Sequence, residues 1–233
     1  MDNRSSYSEA MQTSYAAKVR RAHLAREIIE VVLLIGIIFV AIKLGVETYG
    51  LSLPAPSTPI SSSPMSPAIN YGQNVIVSKL SYFFGSPQRG DVIIYDNPVH
   101  ASDAQAENIG RIIGVPGDTI IVNIASVTVN GHVLTESYSS IAPGSNQGTP
   151  IQQKLGKDQY FVMNDNRSFC VKDANGVCEI IDSRNPAALG VDVTKNPNGS
   201  LDRKYIVGKV TFVYWPFNKM HGIDTYPDTF KGL

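Results

Sequence analysis

The feature that most constrains this chain is an apolar stretch from Ile28 to Gly50, rich in Ile, Val, Leu and Gly. As a helix it would run about 34 Å, enough to cross a bilayer. Glu30 and Lys43 interrupt it and leave an uncharged run only from Val31 to Ile42, a length that a buried helix of a soluble domain also has. Both charges sit near the ends, where the Lys43 stem can reach the headgroups, and the middle is too uniformly apolar for an amphipathic face. The expectation is one N-terminal transmembrane helix. Arg4, Lys18, Arg20, Arg21 and Arg26 precede the stretch, and after Lys43 the next basic residue is Lys79. The positive-inside rule then puts the N-terminal segment in the cytoplasm and the rest outside the cell membrane. A cleavable signal peptide is the competing reading; the long basic flank and the lack of a small-x-small site before Leu51 favour an anchor. The expected organisation is residues 1–27 cytoplasmic, 28–50 spanning and 51–233 extracytoplasmic.

Beyond the anchor the pattern changes. The run LSLPAPSTP, Leu51 to Pro59, cannot be helical, because its prolines remove donors and bias their neighbours to extended geometry. Short β-branched runs follow: Asn74 to Val77, Asp91 to Tyr95, Arg111 to Val115, Thr119 to Val122, Ser126 to Val129, Tyr160 to Met163 and Tyr205 to Tyr214. Gly85-Ser86-Pro87, Pro116-Gly117-Asp118 and Asn130-Gly131 punctuate them as turns. The spacing predicts a mostly β domain. With 43% hydrophobic and 17% charged positions the chain can fill one sizeable core. Twenty basic residues balance twenty acidic ones, so no overall field draws in nucleic acid. His23, His100, His132 and His221 are scattered, with no partners at ligand spacing, so neither a metal nor a cofactor is expected.

A series of blocks, taken in order, resembles the signature of bacterial type I signal peptidases, membrane serine peptidases that remove signal peptides during protein secretion. Pro64-Met65-Ser66-Pro67-Ala68-Ile69 resembles the family's Ser-Met-x-Pro stretch. Val75 to Leu80 with Pro87-Gln88-Arg89-Gly90-Asp91-Val92-Ile93 resembles the strand pair that follows, and Arg111 to Asp118 continues it. Val129-Asn130-Gly131, Asp165-Asn166-Arg167-Ser168, Asp182-Ser183-Arg184 and Gly208-Lys209-Val210, ending at Tyr214-Trp215-Pro216, complete it. The order carries the resemblance; a lone Arg-Gly-Asp or Asn-Gly would not. It implies a β-domain with an apolar edge near the membrane and a groove that takes a signal peptide as an added strand.

The catalytic positions depart from the family. Its chemistry needs a Ser hydroxyl as nucleophile and a Lys, neutral through burial, as general base. The resemblance places Pro64 at the nucleophile and Gly110 at the base. Proline has neither hydroxyl nor N–H, so an oxyanion donor goes too. Glycine cannot titrate, and its neighbour Arg111 stays charged. Ile180 aligns with the Ser that orients the lysine, and Asn164 with a glycine. Ser62 matches the position of the second oxyanion donor. Asp182 and Arg184 are retained and imply a structural ion pair near the site. A displaced dyad would use Ser63 or Ser66 with Lys79 as base; the plain reading of these is loop serines and a solvated lysine.

Cys170 and Cys178 bracket Val171 to Val177, which carries the turn signal Asn175-Gly176. Outside the cell this reads as a hairpin closed by a disulfide, with two free thiols as the alternative. It falls in residues inserted between Arg167 and Asp182. A second loop, Thr194 to Ser200, reads as plain surface. The expected function is that of an inactive, membrane-anchored homologue that binds signal peptides or preproteins, an active signal peptidase or the translocation machinery. An active peptidase with a displaced dyad and a structural envelope protein are the alternatives.

Overall fold

A computed structural model of the chain describes residues 3–50, 63–96, 107–123, 126–141, 150–172, 176, 178–189 and 199–233. The Leu51 to Pro59 lead-in, Ser62 and most of the 194–200 loop lie outside them. Two compact units are present, 1–45 and 46–233.

The first unit is a single helix, α1 (Asn3–Gly45). It begins well before Ile28 because residues 8–26 are rich in Ala, Glu, Arg, Lys and Met, which lose little side-chain freedom in a helix. It also stops short of the expected end. Val46–Gly50 is a strand, β1, since Val46, Thr48 and Tyr49 suit a pleated backbone and find a partner strand. Every Ile, Leu, Val and Phe from Ile28 to Ile42 is 50 to 66% exposed. Among the described residues no helix is long and apolar enough to cross a membrane. The spanning segment expected over 28–50 is corrected accordingly: the uncharged part, 31–42, reaches about 18 Å against roughly 30 Å of hydrocarbon.

The second unit is mostly β and antiparallel. Its further strands are β2 (Asn74–Ser78), β3 (Val92–Asp96), β4 (Glu107–Gly114), β5 (Thr119–Val122), β6 (Val127–Val129), β7 (His132–Val133), β8 (Ile151–Lys154) and β9 (Gln159–Met163). After these come β10 (Val171–Lys172), β11 (Cys178–Glu179), the four-residue helix α2 (Pro186–Leu189), β12 (Leu201–Asp202), β13 (Ile206–Trp215) and β14 (His221–Gly222). The large sheet runs β1-β2-β13-β3-β4-β9-β12, with β14 also on β13. The smaller sheet runs β7-β6-β5-β8.

Burial follows the sequence pattern. β3 is buried on both faces, which is why Val92 to Tyr95 reads as one apolar run rather than an alternation. Val92 and Ile94 join Met65, Ile69, Val75, Val77, Ile109, Val210 and Val213 in one core. Ile93 and Tyr95 join Ile112, Tyr160, Val162, Leu189, Leu201 and Ile206 in another. A third core, with Ile120, Val129, Leu155, Phe161 and Phe230, includes strands of both sheets. The Asn130-Gly131 turn joins β6 to β7 with both residues at positive φ, 51° and 85°, the mirror-image geometry that a two-residue hairpin needs.

Candidate functional site

The loop at residues 63–69 holds the first of the key positions. Pro64 and Pro67 keep it from becoming helix, while Met65 and Ile69 are wholly buried and tie it to the core. Ser63 is also fully buried, and its Oγ accepts the Met65 N–H at 3.3 Å. Pro64 is buried, and its carbonyl accepts the Asn166 N–H at 2.9 Å. Asn166 Nδ2 donates to the Ser63 carbonyl at 3.2 Å, and Ser140 Oγ donates to the Ser66 carbonyl at 3.3 Å. Asn166 and Ser140 thus hold the loop through its carbonyls. Nothing at position 64 can attack a carbonyl or donate to an oxyanion.

Gly110 sits mid-strand in β4, opposite Ile93 of β3, and so presents to the face that carries Ile93, Tyr95, Ile112 and Val162. A Cβ on Gly110 would lie 2.5 Å from Val162 Cγ1 and 3.5 Å from both Tyr95 Cε1 and the Met163 carbonyl oxygen. The space that a basic side chain would enter is therefore already packed. Two buried polar atoms, the Tyr95 hydroxyl and Asn164 Oδ1, have no hydrogen-bond partner among the described residues. Burial pushes the Tyr95 phenol far up, and the nearby Asp182 charge adds to it. Ile180, which the resemblance aligns with an orienting serine, is 5% exposed, and its side chain offers no hydrogen bond.

Around these positions runs a lattice of buried ion pairs. Arg111, fully buried, grips Asp165 with two bonds of 2.8 and 2.7 Å and gives both Nη1 donors to the Gly90 and Asp224 carbonyls, each at 2.7 Å. Its guanidinium lies 4.5 Å from the Tyr138 ring centroid and 5.1 Å from that of Tyr226. Arg184 Nη2 and Nε hold Asp182 at 2.7 to 3.1 Å, and Arg184 Nη1 donates to the Arg167 carbonyl at 3.0 Å. Asp182 also accepts the Asn164 N–H at 3.0 Å. Arg167 pairs with Glu136, which accepts a hydrogen bond from the Tyr138 hydroxyl at 2.7 Å. Asp182 and Arg184 are thereby linked through residues 164–167 to the Pro64 loop.

These pairs set the acid response. Burial alone would raise the Asp182 carboxyl, but Arg184 and two backbone N–H groups outweigh it and hold the carboxyl below its usual value. Asp118 is likewise held down, by Arg89, Val115 N–H and Asn130 against its own burial. A carboxyl depressed in the folded state contributes stability above its unfolded value, about 3.9, and loses it as pH falls through the folded value. Urea midpoints should therefore fall below about pH 4 as these two carboxyls protonate, while the Asp165 carboxyl, which burial raises despite Arg111, works against that loss. In Asp182→Asn, which has no proton to take up there, that acid limb should be shallower. An unchanged limb would remove Asp182 from the titrating set.

The other expected residues fall elsewhere. Lys79 lies past the end of β2, at the opposite end of that strand from the 63–73 loop, and begins the 3-10 turn Leu80–Tyr82. Ser66 is half-buried and precedes a cis Pro67. Cys170 and Cys178 are joined as a disulfide across β10 and β11, with Cα atoms 5.4 Å apart. Sequence reading missed Tyr95 and Val162 as the groups that occupy the Gly110 side. It also missed the burial of Arg111, although an arginine within an otherwise apolar strand run is the usual sign of a buried partner.

A family profile described as signal peptidase, peptidase S26, matches residues 27–215. The chain belongs to this family. Among its relatives, a probable signal peptidase I-2 of Synechocystis is 36% identical over 132 residues, which take in 55% of this chain and 57% of the relative. A signal peptidase I of Leptolyngbya laminosa is 28% identical over 186 residues, 78% of this chain and 77% of that one. A crystal structure of a signal peptidase I from Enterococcus faecalis overlaps at 22% identity with a TM-score of 0.38, covering 55% of this chain and 98% of that chain, a likeness too slight to argue from.

Proposed function

We propose that this member of the signal peptidase family works at a membrane, binds signal peptides and does not cut them. The observation that carries this reading is Gly110: it cannot supply a base, and Val162 and Tyr95 fill the space beside it. Pro64 agrees, since neither a hydroxyl nor an N–H is available there. A displaced dyad through Ser63 is disfavoured by its complete burial and by the Met65 N–H on its Oγ. The β-domain keeps the packing and ion pairs that would shape a groove for an extended peptide. Attachment is through α1, whose exposed apolar residues from Ile28 to Ile42 can enter a bilayer though they are too short a run to cross it. The Arg26–Glu30 ion pair, 2.8 Å, lessens the charge at its start, and Lys43 can snorkel at its end. An active signal peptidase or the translocation machinery is the natural delivery partner.

The test is a preprotein with a photo-crosslinker in its signal peptide, incubated with the full chain in lipid vesicles. Crosslinking without a processed product is expected. A processed product would overturn the non-cutting reading. A chain that neither crosslinks nor cuts would be a structural envelope protein instead.

A further inference from the structure

β7 (His132–Val133) is an end strand of the smaller sheet and pairs there with β6 alone. Which of its backbone groups are free follows from the alternation of an antiparallel pair, in which every second residue bonds across and the others point away. Leu134 N–H donates to the Val127 carbonyl at 2.8 Å, so these two bond across, as do His132 and Val129 two positions on. The bonds between β6 and β5 use the other set: Asn130 N–H donates to the Thr119 carbonyl, and Asn123 N–H to that of Ser126. Val133, and Thr135 after it, therefore turn their backbone groups outward, away from β6. Thr135 agrees: its carbonyl accepts Thr229 Oγ1 at 3.0 Å, from the 3-10 turn Pro227–Phe230. Val133 has no such partner among the described residues, and it is 67% exposed.

This edge is one wall of a cleft of about 390 Å³, and the 3-10 turn is the other. The volume falls in the range of ligand clefts, roughly 300–1,000 Å³. The turn is a fixed wall, because Phe230 is buried in one core with Val129 and Leu134. The lining then selects the occupant. An N–H and a C=O of one residue pointing the same way are the donor and acceptor that an extended chain offers its neighbour, and an open edge of this kind recruits another extended chain. Thr135, Ser137 and Thr229 bring hydroxyls, which suit a polar segment rather than an apolar one. His132 and Lys231 bring two basic groups against the single carboxylate of Asp228, which favours acidic side chains on the occupant.

We propose that the β7 edge is a peptide-binding site, which takes an extended, polar segment bearing acidic side chains as an added strand. The segment bridges Val133 through two backbone hydrogen bonds and sets a carboxylate against Lys231. The cleft shares no lining residue with the Pro64 and Gly110 positions, so the site stands apart from the signal-peptide reading given above.

The probes are two end-blocked, fluorescent pentapeptides, Ser-Glu-Thr-Glu-Ser and Ser-Lys-Thr-Lys-Ser, titrated with the full chain in neutral detergent micelles while anisotropy is read. The expected result is saturable binding of the acidic peptide and weaker binding of the basic one. Val133→Pro removes the outward N–H at an edge position where proline costs no ladder bond, and should weaken the acidic peptide about tenfold. N-methylation of that peptide's central threonine tests the same bridge from the other side, should the proline variant misfold. Lys231→Glu, at an exposed position, should weaken the acidic peptide about two- to fivefold and strengthen the basic one. Absence of saturable binding, or a preference for the basic peptide, would overturn the proposal. So would binding that neither Val133→Pro, N-methylation nor Lys231→Glu alters, since the peptide would then sit elsewhere on the chain.

Discussion

Asp165→Ala should destabilise the β-domain by about 3–5 kcal/mol, as loss of one partner of a buried ion pair does elsewhere. The size follows from what is left behind. Both side chains are fully buried, so the variant strands a guanidinium between Tyr138 and Tyr226 with no counter-charge and no route to water. Two of its donors still reach the Gly90 and Asp224 carbonyls, but these are neutral acceptors. Arg111 cannot escape by becoming neutral, because a guanidinium keeps its proton in a protein even without its partner. Arg111→Met should also cost several kcal/mol, since it leaves the carboxylate and both carbonyls unpaired. The double variant Arg111→Met, Asp165→Leu should be less harmful than the sum of the two, because no stranded charge remains. Urea midpoints with an unchanged dependence on denaturant measure this. A single-variant cost below about 1 kcal/mol would place the pair with solvent-exposed ones, contrary to its burial.

That pair also marks the limit of what the sequence discloses. The longer strands were legible because Val, Ile and Tyr recur at strand length between Gly- and Pro-bearing turns; the observed β5 coincides with its expected range, and β2, β3 and β9 lie within a residue of theirs. The two-residue strands β7, β12 and β14 were not legible, because so short a run has no period and exists only through its partner; β10 and β11 were legible only as the hairpin that Cys170 and Cys178 close. β1 was hidden differently. Its residues continue an apolar helix, and only pairing with β2 decides where helix yields to strand. At the site, the order of motif blocks assigned roles to Pro64, Gly110, Asp182 and Arg184, and the ion pair it implied between the last two is present. The packing beside Gly110 could not be read from sequence, because Tyr95 and Val162 come from strands that are neighbours only in the folded sheet.

This packing governs what restoring the chemistry would take. Pro64→Ser with Gly110→Lys returns a nucleophile and a base in name, yet the pair is expected to remain silent in preprotein cleavage. A Cβ at 110 would stand 2.5 Å from Val162 Cγ1, far inside the roughly 3.5–4.0 Å of a carbon–carbon contact. The lysine must push β9 or Val162 aside at a cost of about 1–3 kcal/mol, and its amine then lands away from the hydroxyl it should activate. Adding Val162→Ala removes the clashing methyl and gives the lysine an apolar setting that lowers its pKa, as a general base requires. The triple variant should therefore cleave where native chain and double variant do not. Ile180→Ser should raise its rate by supplying an orienting hydrogen bond. Loss of such groups costs on the order of a millionfold in serine peptidases, so even partial recovery stands clear of background. If the double variant is as active as the triple, Val162 is not an obstacle and the β4–β9 spacing yields easily. If the native chain cleaves, the chemistry lies elsewhere, and Ser66 is the residue to replace first, since the Ser63 hydroxyl is buried and occupied and Lys79 lies at the far end of β2.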